Sequence, residues 1–522
     1  MKKILSLLSA LAIICTIPMI NIIDVNALEA ATMEEYNTQI KEKDEFPNPD
    51  EKYTEITENN LVYHLYNEYA VLYECKDREI TEIEIPAEIK GLPVTGAVDS
   101  PFGFCRNLKK ITLPDTFENF EFHDLTCTTV TKLSSQNTDI LIPSVSEVIV
   151  SETNPYYTLK DGMIYTKDMK TLIGCPPAMN IKELKISEQT ETISDYAFFS
   201  CFNLEKAVIP ANVKHINNGA FTACINLKNI EFPESITSVS GGICYCCVSL
   251  SNVVFKGEIE KIGYNAFENC YSLDSFDIPE TVSYIGNCAF EMAGCIENIN
   301  GIHYVNNWVV GSDEEIENAD IKEGTTGIAE LSFFTRSYIN YINVPSSVKH
   351  INYVVFGQIN SEKISRLDYR CSFIEEKTIA AAKTTKDFYI YDPKCDIYDS
   401  DKTIPAEYKY QQSVNTDTDN AFGIIHKEYI TDNTIIHGFE GSTAQAYAEK
   451  YNRKFKVIRE SSSIKGDINA DGSFNAADII LLNRWILDAD DTELSDWKAA
   501  DLHEDGKLDV LDICKMKHEL IK

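Results

Sequence analysis

The feature that most constrains the fold of this chain is a repeat of 23 residues, clearest between about residues 180 and 300. Aliphatic, cysteine and Ala-Phe positions recur together at this spacing. The cysteine column is Cys201, Cys224, Cys247 and Cys270, and the leucine column is Leu204, Leu227, Leu250 and Leu273. A unit this short cannot bury its own apolar face, so successive units must stack and share one core. The repeat therefore predicts a solenoid.

Each unit also predicts one short strand. Leu227, Ile230 and Phe232 are spaced as in a strand that buries every second side chain. Pro233 follows directly, and proline cannot donate a hydrogen bond to the next strand. Ala-Phe pairs such as Ala197-Phe198 suit a tight inner bend, where a small residue lets two coils approach and a ring fills the remaining space.

These columns resemble the leucine-rich repeats of BspA-like surface proteins. The segment Val213-Lys214-His215-Ile216-Asn217 recurs unchanged at residues 348–352, and residues 154–165 resemble the insert between repeat blocks of that family. Residues 441–449 resemble its closing segment. The resemblance covers residues 61–458, with an irregular stretch at 360–433. It implies an α/β leucine-rich-repeat solenoid with short strands.

The chain has 16 cysteines, which in a secreted protein would ordinarily indicate disulfides. Their column spacing instead favours free thiols that pack in the core as small apolar groups. The cluster Cys244, Cys246 and Cys247 lacks the second cysteine or histidine pair of a zinc site. We expect core packing and leave the disulfide alternative open.

The start of the chain predicts export. Lys2 and Lys3 precede an apolar run, and Ala27 follows it at the position of a signal-peptidase cut, so residues 1–27 are predicted to be a signal peptide. Residues 28–60 lead into the repeats. We expect a secreted protein without a membrane span in its mature chain. The net charge of -34 argues against binding to nucleic acid or anionic membranes.

A polar linker at 459–465 precedes a loop that suits calcium. Acidic and amide side chains alternate around Gly472, which permits a sharp turn. The predicted ligands are Asp467, Asn469, Asp471, Ser473 (through its carbonyl), Asn475 (directly or through water) and Asp478. Calcium takes six to eight oxygen ligands, and this spacing supplies them from one loop.

A second copy of the loop follows. Its predicted ligands are Asp501, His503, Asp505, Lys507 (through its carbonyl), Asp509 and Asp512. Because imidazole is a poor partner for a hard cation, His503 predicts weaker calcium binding than at the first loop. Two calcium ions are expected in all. Helices are predicted after each loop, with Ile479, Leu482 and Ile486 on one face of the first.

Two loop-helix units without the entering helix of an EF-hand, both closed by aspartate, resemble a type I dockerin over residues 466–522. The resemblance implies a small all-α module that binds a cohesin module of a scaffold protein in a cellulosome-like complex for polysaccharide degradation, on the cell surface or free. The residues implied to contact the cohesin are Ala476, Ala477, Asn483, Arg484, Val510, Leu511, Lys517 and His518. The difference between the two sets disfavours binding in two equivalent orientations.

Two hypotheses remain for the repeats: a non-catalytic binding or adhesion subunit, or a hydrolase of plant polysaccharide with an unrecognised active site. The sequence predicts no catalytic residues, because it lacks the nucleophile, zinc and phosphate-loop motifs. A glycosidase also needs two carboxylates over a sugar cleft. The strand positions aligned as outward, Val208, Glu231, Val254 and Asp277, give no row of aromatic rings. The binding subunit is therefore favoured, with an unknown protein or glycan as its ligand.

Individual polar residues of the repeat region are expected to be structural. His215 and His350 share one repeat position, and His303 is expected to be a partly buried, hydrogen-bonded residue. The acidic stretch containing Asp392, Asp396, Asp399 and Asp401 is expected to be a solvated loop, with a cation site as the alternative.

Overall fold

A computed structural model describes the fold of this chain. It describes residues 46–47, 51–98, 100–120, 122, 144–333, 336, 338–352, 364–374, 385–397, 434–458, 465–469, 473–487, 494, 497–503 and 508–521. The predicted signal peptide, most of the linker and much of residues 360–433 lie outside these ranges. The chain divides into two compact units, residues 1–313 with 326–332, and residues 314–325 with 333–522.

The first unit consists of short strands. Their bounds are β1 (Thr54–Glu58), β2 (Leu61–Leu65), β3 (Ala70–Cys75), β4 (Glu82–Glu84), β5 (Glu88–Ile89), β6 (Leu92–Ala97), β7 (Lys110–Leu113), β8 (Glu147–Val150), β9 (Tyr157–Lys160), β10 (Met163–Thr166), β11 (Thr171–Gly174), β12 (Thr192–Ile193), β13 (Lys206–Val208), β14 (His215–Ile216), β15 (Asn229–Phe232), β16 (Ser238–Val239), β17 (Asn252–Phe255), β18 (Lys261–Ile262), β19 (Tyr284–Ile285), β20 (Glu297–Ile299), β21 (Ile302–Val305), β22 (Trp308–Ser312) and, after a segment of the second unit, β24 (Gly327–Ile328).

The second unit holds the remaining strands and the helices. Its elements are β23 (Asn318–Asp320), β25 (Tyr341–Val344), β26 (His350–Ile351), β27 (Ile364–Tyr369), β28 (Phe373–Ile374), β29 (Thr385–Ile390), β30 (Asp396–Ile397), β31 (Ile435–Gly438), α1 (Thr443–Lys450), β32 (Lys454–Val457), α2 (Ala476–Ile486), α3 (Trp497–Ala500) and α4 (Val510–Ile521).

Parallel ladders in the first unit confirm the solenoid and its period. In the sheet β13-β15-β17, Ala207 pairs with Ile230 and Ile230 with Val253. A second ladder, β16-β18-β19, pairs Val239 with Ile262 and Ile262 with Ile285, also 23 residues apart. Each coil therefore contributes one strand to each of two ladders, and its next copy is stacked one strand spacing away.

The predicted burial pattern within a coil is confirmed. Ile230 and Phe232 are fully buried in β15, whereas Asn229 and Glu231 between them are partly exposed. The coil at residues 273–278 departs from the pattern because it forms no strand. There the backbone N–H of Ile278 donates to the Oδ1 atom of Asn306, 2.8 Å away.

Two antiparallel segments interrupt the parallel coils. The strands β9 and β10 form a hairpin at the predicted insert, and β11 pairs antiparallel to β10 before the parallel strand β12. The strands β20, β21 and β22 repeat this arrangement, followed by the parallel strand β24. The sequence analysis identified the first insert and missed the second.

The column residues form the core of the first unit. Phe198 and Phe221 are buried and stack with ring centroids 4.9 Å apart. The thiols of the cysteine column are also buried, and each donates to a carbonyl of the preceding coil. Their Sγ–O distances are 3.1 Å for Cys224 to Phe198, 3.1 Å for Cys247 to Phe221 and 3.2 Å for Cys270 to Cys244. Burial raises the pKa of the Cys224 and Cys270 thiols. Core packing of these cysteines is therefore confirmed.

The bend of each coil imposes a left-handed backbone at two positions, whatever residue stands there. The first column is Tyr196, Gly219, Gly242, Asn265 and Cys288, and the second is Ser200, Ala223, Cys246, Asn269 and Met292, with φ between 52° and 63° throughout. Residues other than glycine are strained in this conformation by about 1–2 kcal/mol. Stacking of the coils holds them there, because backbone hydrogen bonds link successive coils along both columns, as from Gly219 N to Gly241 O.

Gly219→Ala is expected to destabilise the first unit by about 2–4 kcal/mol, the sum of left-handed strain and overpacking. Gly219 has a φ of 63°, and a Cβ atom there would collide with the ring of Tyr196. The matched control is Gly91→Ala, at a φ of 83° but with no atom nearer than Glu88 Oε1 at 3.9 Å. Denaturant unfolding measures both, and equal losses would show that the contact with Tyr196 contributes nothing.

Candidate calcium and docking site

The C-terminal residues form two equivalent loop-helix units at an offset of 34 residues. Buried positions pair across the offset: Ile468 with Leu502, Ile479 with Ile513, and Leu482 with Met516. These side chains form one small core together with Ala499 and Ala500. The apolar face predicted for the first helix is thereby confirmed, with Ile486 partly buried against the same core. Because the helices α2 and α4 pack on each other through this core, their opposite faces are left to solvent.

The first loop closes on the carboxylate of Asp478, which is fully buried. Its Oδ1 atom accepts hydrogen bonds from Ile468 N at 3.0 Å and Asn469 N at 3.3 Å, and its Oδ2 atom accepts one from Asn475 N at 2.8 Å. Asn475 caps α2 in return, since its side chain accepts from Ala477 N at 2.8 Å. This reciprocal capping box fixes the loop against the helix.

The second loop repeats the same geometry around Asp512, which is also fully buried. Asp512 Oδ1 accepts from His503 N and Oδ2 from Asp509 N, both at 2.9 Å. Asp509 accepts from Leu511 N at 2.7 Å, as Asn475 does from Ala477 in the first copy. The two loops therefore share one backbone plan, although His503 replaces the amide of Asn469.

The donor chemistry of the loops fits calcium. Asp467, Asp478 and Asp512 are fully buried carboxylates, and burying charged carboxylates costs free energy unless a cation or hydrogen bonds compensate. Oxygen donors of this kind are the ligands that calcium prefers. Asp471, Asp505 and Lys507 lie outside the described residues. Among those described, no cluster of three or more His, Cys, Asp or Glu side chains could hold a metal ion.

All eight residues expected to contact a cohesin are exposed on the two helices. The sequence analysis missed the residue between them on each helix. Ile480, 60% exposed, lies one turn from Ala476 and Ala477 and one turn before Asn483 and Arg484. Cys514 is exposed at the equivalent place on α4. Their helical spacing could have identified both, because residues three or four positions apart share one face.

The candidate histidine of the repeat region is structural, as expected. His303 Nε2 lies 2.8 Å from Asp313 Oδ1, and the His303 side chain is partly buried. His215 and His350 begin the equivalent strands β14 and β26. In the acidic stretch, Asp392 accepts a hydrogen bond from Lys394 N at 2.8 Å, and Asp399 and Asp401 lie outside the described residues.

One carboxyl group of the first unit is strongly perturbed. Burial, and next the charge of Glu291, raise the pKa of Glu268 to about 8. The two glutamates occupy the same column of adjacent coils, and Asn269 N donates to Glu291 O at 2.8 Å. Glu268 Oε1 accepts from Asn269 Nδ2 at 3.3 Å.

Comparison with known families now separates the two regions. A model described as BspA type leucine rich repeat region matches in six copies over residues 191–311 and 310–395. A model described as dockerin type I domain matches residues 465–521. The chain contains BspA-type leucine-rich repeats and a type I dockerin domain. No curated protein is significantly similar to it.

Several solved structures resemble parts of the chain. A leucine-rich repeat protein from Bacteroides ovatus is 14% identical over 77% of this chain and 100% of its own, with a TM-score of 0.30. A leucine rich cell surface protein from Faecalibacterium prausnitzii is 17% identical over 65% of this chain and 89% of its own, with a TM-score of 0.25. The T. pallidum leucine rich repeat protein is 19% identical over 42% of this chain and 91% of its own, with a TM-score of 0.27. At these scores the similarities support no inference.

The two matched families indicate the function in general terms. Type I dockerins bind calcium and assemble complexes through cohesins, and leucine-rich repeats form binding regions. Both are typical of extracellular proteins. Of the helices that the structure describes, none is both long and apolar enough to cross a bilayer.

His503→Asn is expected to tighten calcium binding at the second loop about tenfold, because it replaces an imidazole by an oxygen donor of the kind present at Asn469. Asn469→His should weaken the first loop by a similar factor. Calorimetric titration of the calcium-stripped chain measures both changes. His518→Asn, in the exposed part of α4, is the control, and an equal effect there would contradict a role for position 503 in the loop.

Glu268→Gln is expected to stabilise the first unit at pH 9 by about 2 kcal/mol, discounted for partial exposure, and to leave it unchanged at pH 4. The unfolded carboxyl ionises near its ordinary pKa of 4.5, whereas the folded one stays protonated up to about pH 8. Wild-type stability should therefore fall as the pH rises between these values. Thermal unfolding against pH tests this expectation.

The control for this measurement is Glu291→Gln, which removes the neighbouring charge. In this variant the fall in stability with rising pH should end at a lower pH, because the charge of Glu291 raises the pKa of Glu268. A pH profile of Glu268→Gln that parallels the wild type throughout would contradict the perturbed carboxyl.

Proposed function

We propose that this protein is a secreted, non-catalytic binding subunit that its dockerin attaches, in the presence of calcium, to a cohesin of a cellulosome-like complex. The observation that carries the proposal is the duplicated loop-helix module, whose helices share one core and leave a row of residues exposed on each outer face. The repeats then serve as the part that recognises a ligand, on a complex devoted to polysaccharide degradation.

The proposed organisation follows the sequence analysis. The signal peptide spans residues 1–27, a lead-in 28–60, the solenoid 61–458, the linker 459–465 and the dockerin 466–522. Two calcium ions bind in the dockerin. The first is held by Asp467, Asn469, Asp471, Ser473, Asn475 and Asp478, and the second by Asp501, His503, Asp505, Lys507, Asp509 and Asp512.

Calcium binding and cohesin binding are coupled in this proposal. Asp478 and Asp512 hold each loop to the start of the following helix through backbone hydrogen bonds. An ion in the loop therefore stabilises the orientation of the helix that carries the cohesin contacts. Binding free energy of the ion adds to folding free energy, since the unfolded chain has no preformed site.

The start of the second helix exposes larger apolar side chains than the start of the first. Val510 and Leu511 are 61% and 51% exposed at the start of α4, where the first copy has the small residues Ala476 and Ala477. Two adjacent exposed apolar side chains can be buried together by a partner, and burial of a leucine contributes about 1.5–3 kcal/mol. We therefore propose one preferred orientation, with α4 against the centre of the cohesin.

Leu511→Glu is expected to weaken capture by a type I cohesin of the producing bacterium at least about tenfold, because it places a charge in the apolar centre of the contact. Ala477→Glu is the matched change on α2 and should have a smaller effect. Biolayer interferometry of the full chain, with and without a calcium chelator, measures both. Equal effects of the two substitutions would contradict a single orientation, and calcium-independent capture would contradict the coupling.

The non-catalytic assignment has its own test. The full chain and a truncation after Arg459 are incubated with plant polysaccharides, and released reducing sugars are measured. Release by the truncation would overturn the binding-subunit proposal in favour of the hydrolase. The proposal is supported if a cohesin captures the full chain but not the truncation, and neither form releases sugar.

A further inference from the structure

Two thiols meet beneath a surface loop near the start of the repeats. Cys75 is the last residue of β3, and Cys105 lies in the bend of the coil that follows. Both side chains are buried, and both donate to one acceptor, the carbonyl oxygen of Asp77. The Sγ–O distances are 3.4 Å for Cys75 and 3.5 Å for Cys105. Two sulfur atoms this near to the same oxygen are necessarily close to each other.

The backbone holds the two residues in this arrangement. Cys75 N donates to Pro101 O at 2.8 Å, which joins the end of β3 to the bend of the next coil. Within that bend, Cys105 N donates to Phe102 O at 2.8 Å. Bonded cysteines have Cβ atoms about 3.5–4.5 Å apart, and two thiols that share an acceptor are already near that geometry.

One of the two thiols is the better nucleophile. A hydrogen bond with the Cys105 thiol lowers the pKa of the Cys75 thiol. The same contact, and next burial, raise the pKa of Cys105. Because the thiolate is the form of cysteine that attacks a disulfide, Cys75 is the attacking group of the pair.

The same two positions recur in the other blocks of antiparallel strands. After β9–β11 they are Cys175, directly behind β11, and Cys201 in the next bend. After β20–β22 they are Ser312, the last residue of β22, and Ser332. Ser312 Oγ donates to Ser332 O at 2.7 Å, so the third pair is also in contact. This packing therefore does not itself require sulfur.

The segment that covers the sulfur atoms distinguishes the first pair from the second. After Cys75 the chain runs along the surface, where Lys76 and Arg78 are exposed. After Cys175 both prolines that follow are buried. An oxidant therefore reaches the first pair when one short surface loop opens, whereas the second pair is enclosed like the rest of the cysteine column.

We propose that Cys75 and Cys105 form a disulfide when the chain meets an oxidant of the disulfide class outside the cell. The bond fastens the first block of antiparallel strands to the coil behind it, at the start of the array, where a repeat protein needs a cap. The two cysteines are 30 residues apart, so the bond also restricts the unfolded chain. The inference goes beyond the proposed function and takes from it only the export of the chain.

The chemistry is thiol–disulfide exchange. The Cys75 thiolate attacks one sulfur of the external disulfide, forms a mixed disulfide and displaces the other sulfur as a thiolate. Cys105 then loses its proton to solvent and attacks the Cys75 sulfur, which displaces the second external thiolate. The two protein thiols are oxidised by two electrons, and one external disulfide is reduced to two thiols.

Oxidation of the full chain by glutathione tests the proposal. The reduced chain is incubated with equal concentrations of oxidised and reduced glutathione, quenched with acid and alkylated during denaturation. We expect mass spectrometry of a digest to find the link between Cys75 and Cys105 at least about tenfold more abundant than any link within the cysteine column. Reduction of the product should lower the midpoint of thermal unfolding of the array by about 3 °C or more.

Two variants test the assignment of the pair. Cys105→Ser should abolish both the link and the rise in the unfolding midpoint on oxidation. Cys201→Ser, the matched change in the second block, should leave both unchanged. Serine fits this site, as Ser332 shows, and circular dichroism verifies that each variant is folded. The comparison of the oxidised and reduced wild type does not depend on the variants.

Four results would overturn the inference. They are alkylated Cys75 and Cys105 after oxidation, a mixed disulfide of Cys75 with glutathione that does not transfer to Cys105, equal yields of links within the column, and equal unfolding midpoints for the oxidised and reduced chains. None of them bears on the dockerin. Capture by a cohesin in the presence of calcium, without a link between Cys75 and Cys105, would leave the docking proposal standing and reject only the disulfide.

Discussion

The structure of the repeat region depends on the burial that one coil gains only from the next. A single coil of 23 residues exposes its Ile, Leu, Phe and Cys columns unless another coil covers them. Stacking at one strand spacing brings each column residue beside its own copy, as Ile230 lies beside Ala207 and Val253. The parallel ladder and the apolar columns are therefore two consequences of the same register, and a slip of one residue would disrupt both.

The same stacking explains residues whose own conformational preference or polarity does not suit their position in the coil. Tyr196 and Asn265 have left-handed backbones that favour glycine, and backbone hydrogen bonds to the next coil hold them there. The buried thiols of the cysteine column are tolerated because each donates to a carbonyl of the preceding coil, as Cys224 does to Phe198 at 3.1 Å. Strain and buried polarity are compensated by the neighbouring coil, so the array is more stable than the preferences of any one coil suggest.

The dockerin has few residues and is stabilised in a different way from the stacked coils. Its core is small, and its loops bury the carboxylates of Asp478 and Asp512. Asp478 and Asp512 accept hydrogen bonds from backbone N–H groups of their own loops, which fixes each loop against the helix that follows it. The exposed strips on α2 and α4 then depend on those loops, because each helix begins at the residue that caps it.

The sequence by itself determined the repeat period, the buried columns, the first insert and the two loop-helix units, because each is a pattern of residues close along the chain. Only the tertiary structure decided which side chains meet across a ladder. Arg366, Tyr389 and His437 come from three strands, and the last two are separated by 48 residues, so no local period relates them. The exposure of Ile480 and Cys514 follows from burial of the opposite faces of α2 and α4, although helical spacing already places both beside the residues implied to contact a cohesin. Local spacing thus sets which residues are buried, whereas contacts between strands distant in the chain decide which side chains meet.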